Sequence, residues 1–383
     1  MTSGQTRLNL PIRQEIRSIT GLRAFAAIAV YFNHFGLPAL SPNWLSNIST
    51  NGGLGVPFFF VLSGFVLALA YESRPLIVRQ FFIDRLARIA PTYYVGLLLV
   101  LFYFYVTNVF QLDYVFLVHL FGLQAWFPTS DSGFAYNGPA WTISVEMFLY
   151  AMFPFLYRQL IQKAGFLGNW LTISLLGVSC SLVPFGIHLY FLGELNGIEN
   201  KHIWTYALPL HYLGLFILGI AGYKSRSFFL DKLPNRLIRG LICDLLIISY
   251  ALLFTVMNLK DPQHPLIAKA AQFWLLGVPT TLILVLLSIT PGSPISGFLS
   301  SRPVWFAGKI SMVFYLLHVP AVWTITRLFP ELNYEQKFLI VLLLTVIVHL
   351  LIEVPGNRLV KALFNRKFED DPKPPAGYRT KRS

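Results

Sequence analysis

The stretch LRAFAAIAVYFNHFG, residues 22–36, decides how the rest of the chain is read. It has the composition of a membrane-spanning helix, yet it carries Arg23 and His34. Ionisable side chains are costly in hydrocarbon and are seldom kept there without a use. Eleven residues at 100° each bring the two back to within about 20° of one helix face, about 16 Å apart along the axis. A single polar stripe therefore crosses much of this segment. A buried arginine stays charged and favours an anion such as phosphate or carboxylate. A histidine suits proton transfer near neutral pH. The pair points to an enzyme that binds an anionic donor at one depth and handles a hydroxyl proton at another. The plainer alternative, that neighbouring helices simply satisfy each group, stays open at this point.

The composition of the 383 residues supports a membrane setting: 55% are hydrophobic, 16% aromatic and only 12% charged. A soluble globular chain carries about 25% charged residues. The expected fold class is all-α, a polytopic transmembrane helical bundle. With about 20 apolar residues needed per span, ten spans are placed at 18–37, 53–71, 91–110, 138–157, 169–190, 204–223, 240–258, 269–290, 305–326 and 337–356. The net charge of +13 is not gathered into a soluble basic domain, so a nucleic-acid partner is not expected and the bilayer is. Cys180 and Cys243 lie in apolar runs and read as small buried hydrophobes. There is no HExxH, Walker lysine loop or GxGxxG, and no metal is expected. The polar, basic start has no cleavable signal pattern, so the first apolar segment reads as retained.

Orientation follows from lysine and arginine. With a cytoplasmic N-terminus, 23 of them fall on the cytoplasmic side and five (Lys201, Lys260, Lys269, Arg327 and Lys337) on the other. This predicts both termini inside. The domain reading is a cytoplasmic segment over 1–17, the membrane domain over 18–356, and a basic, proline-containing tail over 357–383 expected to be disordered.

Four further stretches carry polar groups. SRPLIVRQFFIDRLARIAP, residues 73–91, holds Arg74, Arg79, Arg85 and Arg88. It reads as a topology anchor or, since Arg85 and Arg88 are neighbours at i,i+3, as a phosphate clamp. Pro91 is taken as the start of the third span. In AWTISVEMFLYAMFPF, Glu146 lies about 8 Å inward of Trp141, at a depth comparable with His34, where an acid can orient a histidine. In FAGKISMVFYLLHVPAV, Ser311, Tyr315 and His318 share a face, and Lys309 can snorkel to the surface. Ser63 and Gly64, in the middle of the second span, suggest a close helix approach or a narrow passage. Asp244 is expected to pair with a basic residue and Glu353 can do the same.

With these residues assembled, the chain resembles the acyltransferase 3 family of bacterial multi-pass membrane enzymes. RAFAAIAVYFNH looks like its arginine, ten residues, histidine signature. GLGVPFFFVLSGF, FFIDRLARIAP, AWTISVEMFLYAMFP, GKISMVFYLLHVP and IEVP are similar to its further elements, in order, over about residues 17–356. Asp84 stands where the family often has another arginine, and Pro57 where it often has an acid. The resemblance implies an O-acyltransferase of the bacterial cytoplasmic membrane, with acyl-CoA, most commonly acetyl-CoA, as cosubstrate and no bound cofactor. The implied acceptor is a hydroxyl of a saccharide, such as an exopolysaccharide, an O-antigen or a lipid-linked sugar. The expected roles are His34 as general base, Glu146 as its orienting acid, Arg23, Arg85 and Arg88 as donor-binding groups, and Ser63, Tyr315 and His318 as site lining. A covalent acyl-histidine stays open, as does oligomeric state. Some family members carry a fused extracytoplasmic domain. None is seen in these residues, so the membrane part is expected to deliver and transfer the acyl group, unless a separate partner helps. The rival class is a proton-coupled transporter or flippase using His34 and Glu146 as a relay. Such a protein is expected to show internal repeats and matching broken helices, and neither is visible.

Overall fold

In hydrocarbon every backbone polar group must find a partner within the protein, so long apolar runs become helices. The computed structural model is helical, with no strand among the residues it describes, which are 15–38, 41–42, 45–72, 75–109, 113–127, 133–162, 165–194, 206–256 and 276–366. The helices are α1 Arg17–Phe35, α2 Ser46–Asn51, α3 Gly55–Ala70, α4 Val78–Thr107, α5 Tyr114–Leu120, α6 Trp141–Leu156, α7 Trp170–Glu194, α8 Leu213–Lys232 and α9 Arg236–Val256. They continue with α10 Gly277–Ile289, α11 Pro294–Leu299, α12 Arg302–Leu328, α13 Tyr334–Val348 and α14 Val354–Arg366.

Each predicted span falls on a helix. Among the described residues, eight stretches are long and apolar enough to cross a bilayer: Ser46–Ala70, Val78–Thr107, Gly138–Gln162, Trp170–Ile187, Pro209–Lys232, Arg236–Val256, Arg302–Leu328 and Tyr334–Phe364. The other two predicted spans correspond to α1, whose arginine and histidine lower its apolarity, and to the 13-residue α10. Residues 110, 204–205, 257–258 and 269–275 of the predicted spans lie outside the described residues. So does most of the N-terminal segment, along with 367–383 of the tail.

α1 packs along α12, α3 and α7 pack on α8, and α4 packs on α12 and α14. Small residues set these approaches, as is usual where lipid removes the hydrophobic drive between helices. A Cβ on Gly308 would stand 1.8 Å from the Thr20 carbonyl oxygen, and one on Gly64 would stand 2.0 Å from that of Phe216. Gly64 therefore marks a close helix contact, the first of the two readings its sequence allowed.

The helices α4, α6, α7 and α12 each contain an interior proline, and in α4 and α12 an asparagine from elsewhere repairs the ladder. Pro91 in α4 has no N–H for the carbonyl of Ala87. That carbonyl instead accepts from the Asn357 side chain of α14 at 3.1 Å. Pro320 in α12 leaves the Leu316 carbonyl in the same state, and Asn137 donates to it at 2.9 Å. Replacing Asn137, which is 1% exposed, by leucine strands that buried carbonyl. The expected cost is about 1–3 kcal/mol, read as a lowered midpoint of thermal unfolding in detergent.

These contacts correct three readings. The third span starts at Val78, and Pro91 lies within it. Residues 78–91 of the basic stretch are thus the first turns of α4, and Arg74 lies outside the described residues. The tail is helical to Arg366, because Lys361 reaches Asp84 at 3.1 Å and Arg79 donates to the Phe364 carbonyl at 3.1 Å, pinning α14 to α4. Asp244 accepts from the Ser293 hydroxyl at 2.8 Å, with no basic partner among the described ion pairs.

Candidate active site

α1, α3, α4, α6 and α12 enclose a cavity of about 350 Å³. Arg23 enters from α1, Ser63 from α3, Arg85 and Arg88 from α4, Glu146 and Tyr150 from α6, and Ser311 and Tyr315 from α12. Six of the predicted site residues, Arg23, Ser63, Arg85, Arg88, Glu146 and Tyr315, are therefore brought together. Their order follows α6. Tyr150 lies at the arginine end, with the Arg85 guanidinium 5.6 Å from its ring centre. Glu146 is one turn further along. Thr142 lies at the far end beside Tyr315, where both hydroxyls donate to the Pro139 carbonyl, at 2.9 and 3.2 Å. Eight residues of helix make this wall about 12 Å long.

The arginine end is built rather than incidental. The Nε atoms of Arg23 and Arg85 are buried and have no hydrogen-bond partner. Arg88 is held at 3.5 Å by Glu353, whose other oxygen accepts from His349 Nδ1 at 2.5 Å. Residues His349–Glu353 form a π-helical turn that brings both side chains to α4. Such turns recur where a helix must aim side chains at a site. Arg23 lies close enough to Arg88 and Glu146 to interact with both charges. Arg88 is thus paired with Glu353, while the unpartnered Nε groups of Arg23 and Arg85 remain as donors that suit an anion.

Glu146 does not stand beside His34. Its carboxylate accepts from the Tyr150 hydroxyl, one turn away on the same helix, and His34 is not among the residues lining the cavity. His34 sits instead next to His318, with ring centres 5.1 Å apart. The reason is the register of α1. Arg23 is its outermost residue in the cavity, and His34 is three turns further on. Tyr315 stands between the two regions. Its side chain lines the cavity, and its ring centre is 5.9 Å from that of His318. Trp141 is buried against Tyr206 and Tyr212. Lys309 lies 4.7 Å over the Trp305 ring.

The sequence reading passed over Tyr150 and Glu15, which also line the cavity. Tyr150 was signalled by its i,i+4 spacing from Glu146. Glu15 carried no signal beyond its place before α1. Asp84 and Pro57, the two departures from the family pattern, both fall outside the cavity lining. Asp84 is engaged by Lys361 instead.

With this geometry in view, comparison with known proteins places the chain. Residues 16–354 match the family described as Acyltransferase domain, and the chain belongs to that acyltransferase 3 family. It is a multi-pass membrane acyltransferase. It is similar to Acyltransferase MdmB of Streptomyces mycarofaciens, 26% identical over 335 residues, which are 84% of this chain and 83% of that protein. It is also similar to O-acetyltransferase OatA of Staphylococcus aureus (strain NCTC 8325 / PS 47), 24% identical over 362 residues. That match takes 88% of this chain but spans only 56% of the length of OatA. No solved structure matches.

Proposed function

We propose that the protein is an O-acetyltransferase of the bacterial cytoplasmic membrane. It takes acetyl from cytoplasmic acetyl-CoA and transfers it to a hydroxyl of a saccharide, such as an exopolysaccharide, an O-antigen or a lipid-linked sugar. The observation that carries the donor is the pair of buried, unpartnered guanidinium Nε atoms of Arg23 and Arg85 in one cavity with Arg88. Phosphates of coenzyme A complement such a set by charge and fork geometry. With both termini cytoplasmic, as the basic asymmetry implies, the arginine end opens to the donor. The extended thiol arm then runs along α6 toward Tyr315.

His34 takes the proton of the acceptor hydroxyl. The alkoxide oxygen attacks the thioester carbonyl, a C–O bond forms and the C–S bond breaks. The thiolate leaves with the proton that His34 held, and His34 returns to its neutral form. Tyr315 must yield for the thioester to reach His34. Glu146, hydrogen-bonded to Tyr150, is assigned to the arginine end, where it balances guanidinium charge between donor visits.

The test is mass spectrometry of cell glycans and secreted metabolites with and without the gene, beside CoA release from acetyl-CoA by membranes carrying the protein. An acetyl increment together with CoA release is expected. Acceptor uptake without CoA release would establish the transporter reading instead.

A further inference from the structure

His318 is 0% exposed and sits two residues before Pro320 in α12. Its Nδ1 is 2.7 Å from the Tyr315 carbonyl oxygen. A carbonyl can only accept, so Nδ1 carries the proton. Nε2 of the neutral ring is then an acceptor with a free lone pair. That atom is buried and has no hydrogen-bond partner. An orphaned polar atom in a fully buried ring needs an explanation. Around the ring lie Tyr31, Phe35, Phe314 and Tyr315, and the exposed imidazole of His34 with its centre 5.1 Å away.

We infer that His318 is a positioning residue for transfer: its Nε2, unpartnered in this structure, accepts the ring N–H of His34 when the neighbouring imidazole turns toward it, and so fixes which His34 nitrogen is the base. This rests on the acyltransferase reading above. Through the step described there His318 neither gains nor loses a proton. Tyr315 fixes the tautomer of His318, and His318 fixes that of His34. A neutral ring here does the orienting work that a carboxylate does in a triad, the task the sequence had suggested for Glu146.

Two conservative substitutions separate positioning from packing. Gln at position 318 can return an acceptor near the Nε2 position, whereas Asn can replace only the Nδ1 contact to Tyr315. We expect His318→Asn to cut labelled acetyl transfer from acetyl-CoA into membranes of the producing cells by about 10–100-fold, the usual loss when an orienting partner is removed. His318→Gln is expected to stay within about tenfold of the parent. The second readout needs no donor: ¹⁵N spectra of labelled histidine in the full-length protein, with His34 assigned by its loss in His34→Asn. One His34 tautomer is expected in the parent and in His318→Gln, and a mixture in His318→Asn. Equal transfer by both variants, or an unchanged tautomer in His318→Asn, would overturn the positioning role. Failure of the parent itself to move acetyl, with its single tautomer intact, would instead overturn the acyltransferase reading.

Discussion

His34→Gln is expected to insert and fold like the parent and to lose acyl transfer by about 10²–10⁴-fold, the usual contribution of a general base. Glutamine keeps the size and the hydrogen-bonding ends of histidine but cannot take the proton. His34 is exposed at the end of the polar stripe, so the substitution removes no buried packing, and protein yield and melting temperature should match the parent. Transfer at the parental rate by well-folded His34→Gln would place the base elsewhere, with His318 the nearest imidazole.

The second large effect belongs to the arginine end. Arg85→Ala is expected to raise the apparent KM for acetyl-CoA about 10–150-fold. This follows from about 1.5–3 kcal/mol for a hydrogen bond to a charged group, at about 1.4 kcal/mol per tenfold. Arg88→Ala should raise KM similarly and also lower stability, because it leaves Glu353 and His349 buried without their guanidinium. The two variants therefore differ in melting temperature while agreeing in KM. Unchanged donor affinity in both would reduce these residues to a topology signal.

Much of the fold was legible because apolar runs are local signals. All ten predicted spans fall on helices, and α1 matches its predicted bounds within two residues. What misled was tertiary. Pro91 reads as a helix start because nothing near it in sequence says that Asn357, far along the chain, will repair the Ala87 carbonyl. The stretch after 357 reads as charged tail because its anchors, Asp84 and Arg79, lie on α4.

The site divides in the same way. Spacing within one helix located Arg23 with His34 and Arg85 with Arg88. Spacing cannot say which helices are neighbours. Equal depth therefore suggested that Glu146 serves His34, whereas the packing of α1 along α12 puts His318 beside it, and α6 turns Glu146 toward the arginines. Family membership, shown over residues 16–354, fixes the reaction class but not those neighbours.

Entry of the donor at the arginine end from the cytoplasm, with the acetyl group leaving at the histidine end, is the step from which the rest of the proposed mechanism follows. It is tested most directly by giving membrane-impermeant labelled acetyl-CoA to sealed vesicles of opposite orientation, made from membranes of the producing cells. Transfer is predicted only when the label faces the cytoplasmic surface, with the acetylated product on the opposite face and none formed by His34→Gln. Equal transfer from both sides, or product on the donor's own side, would contradict it.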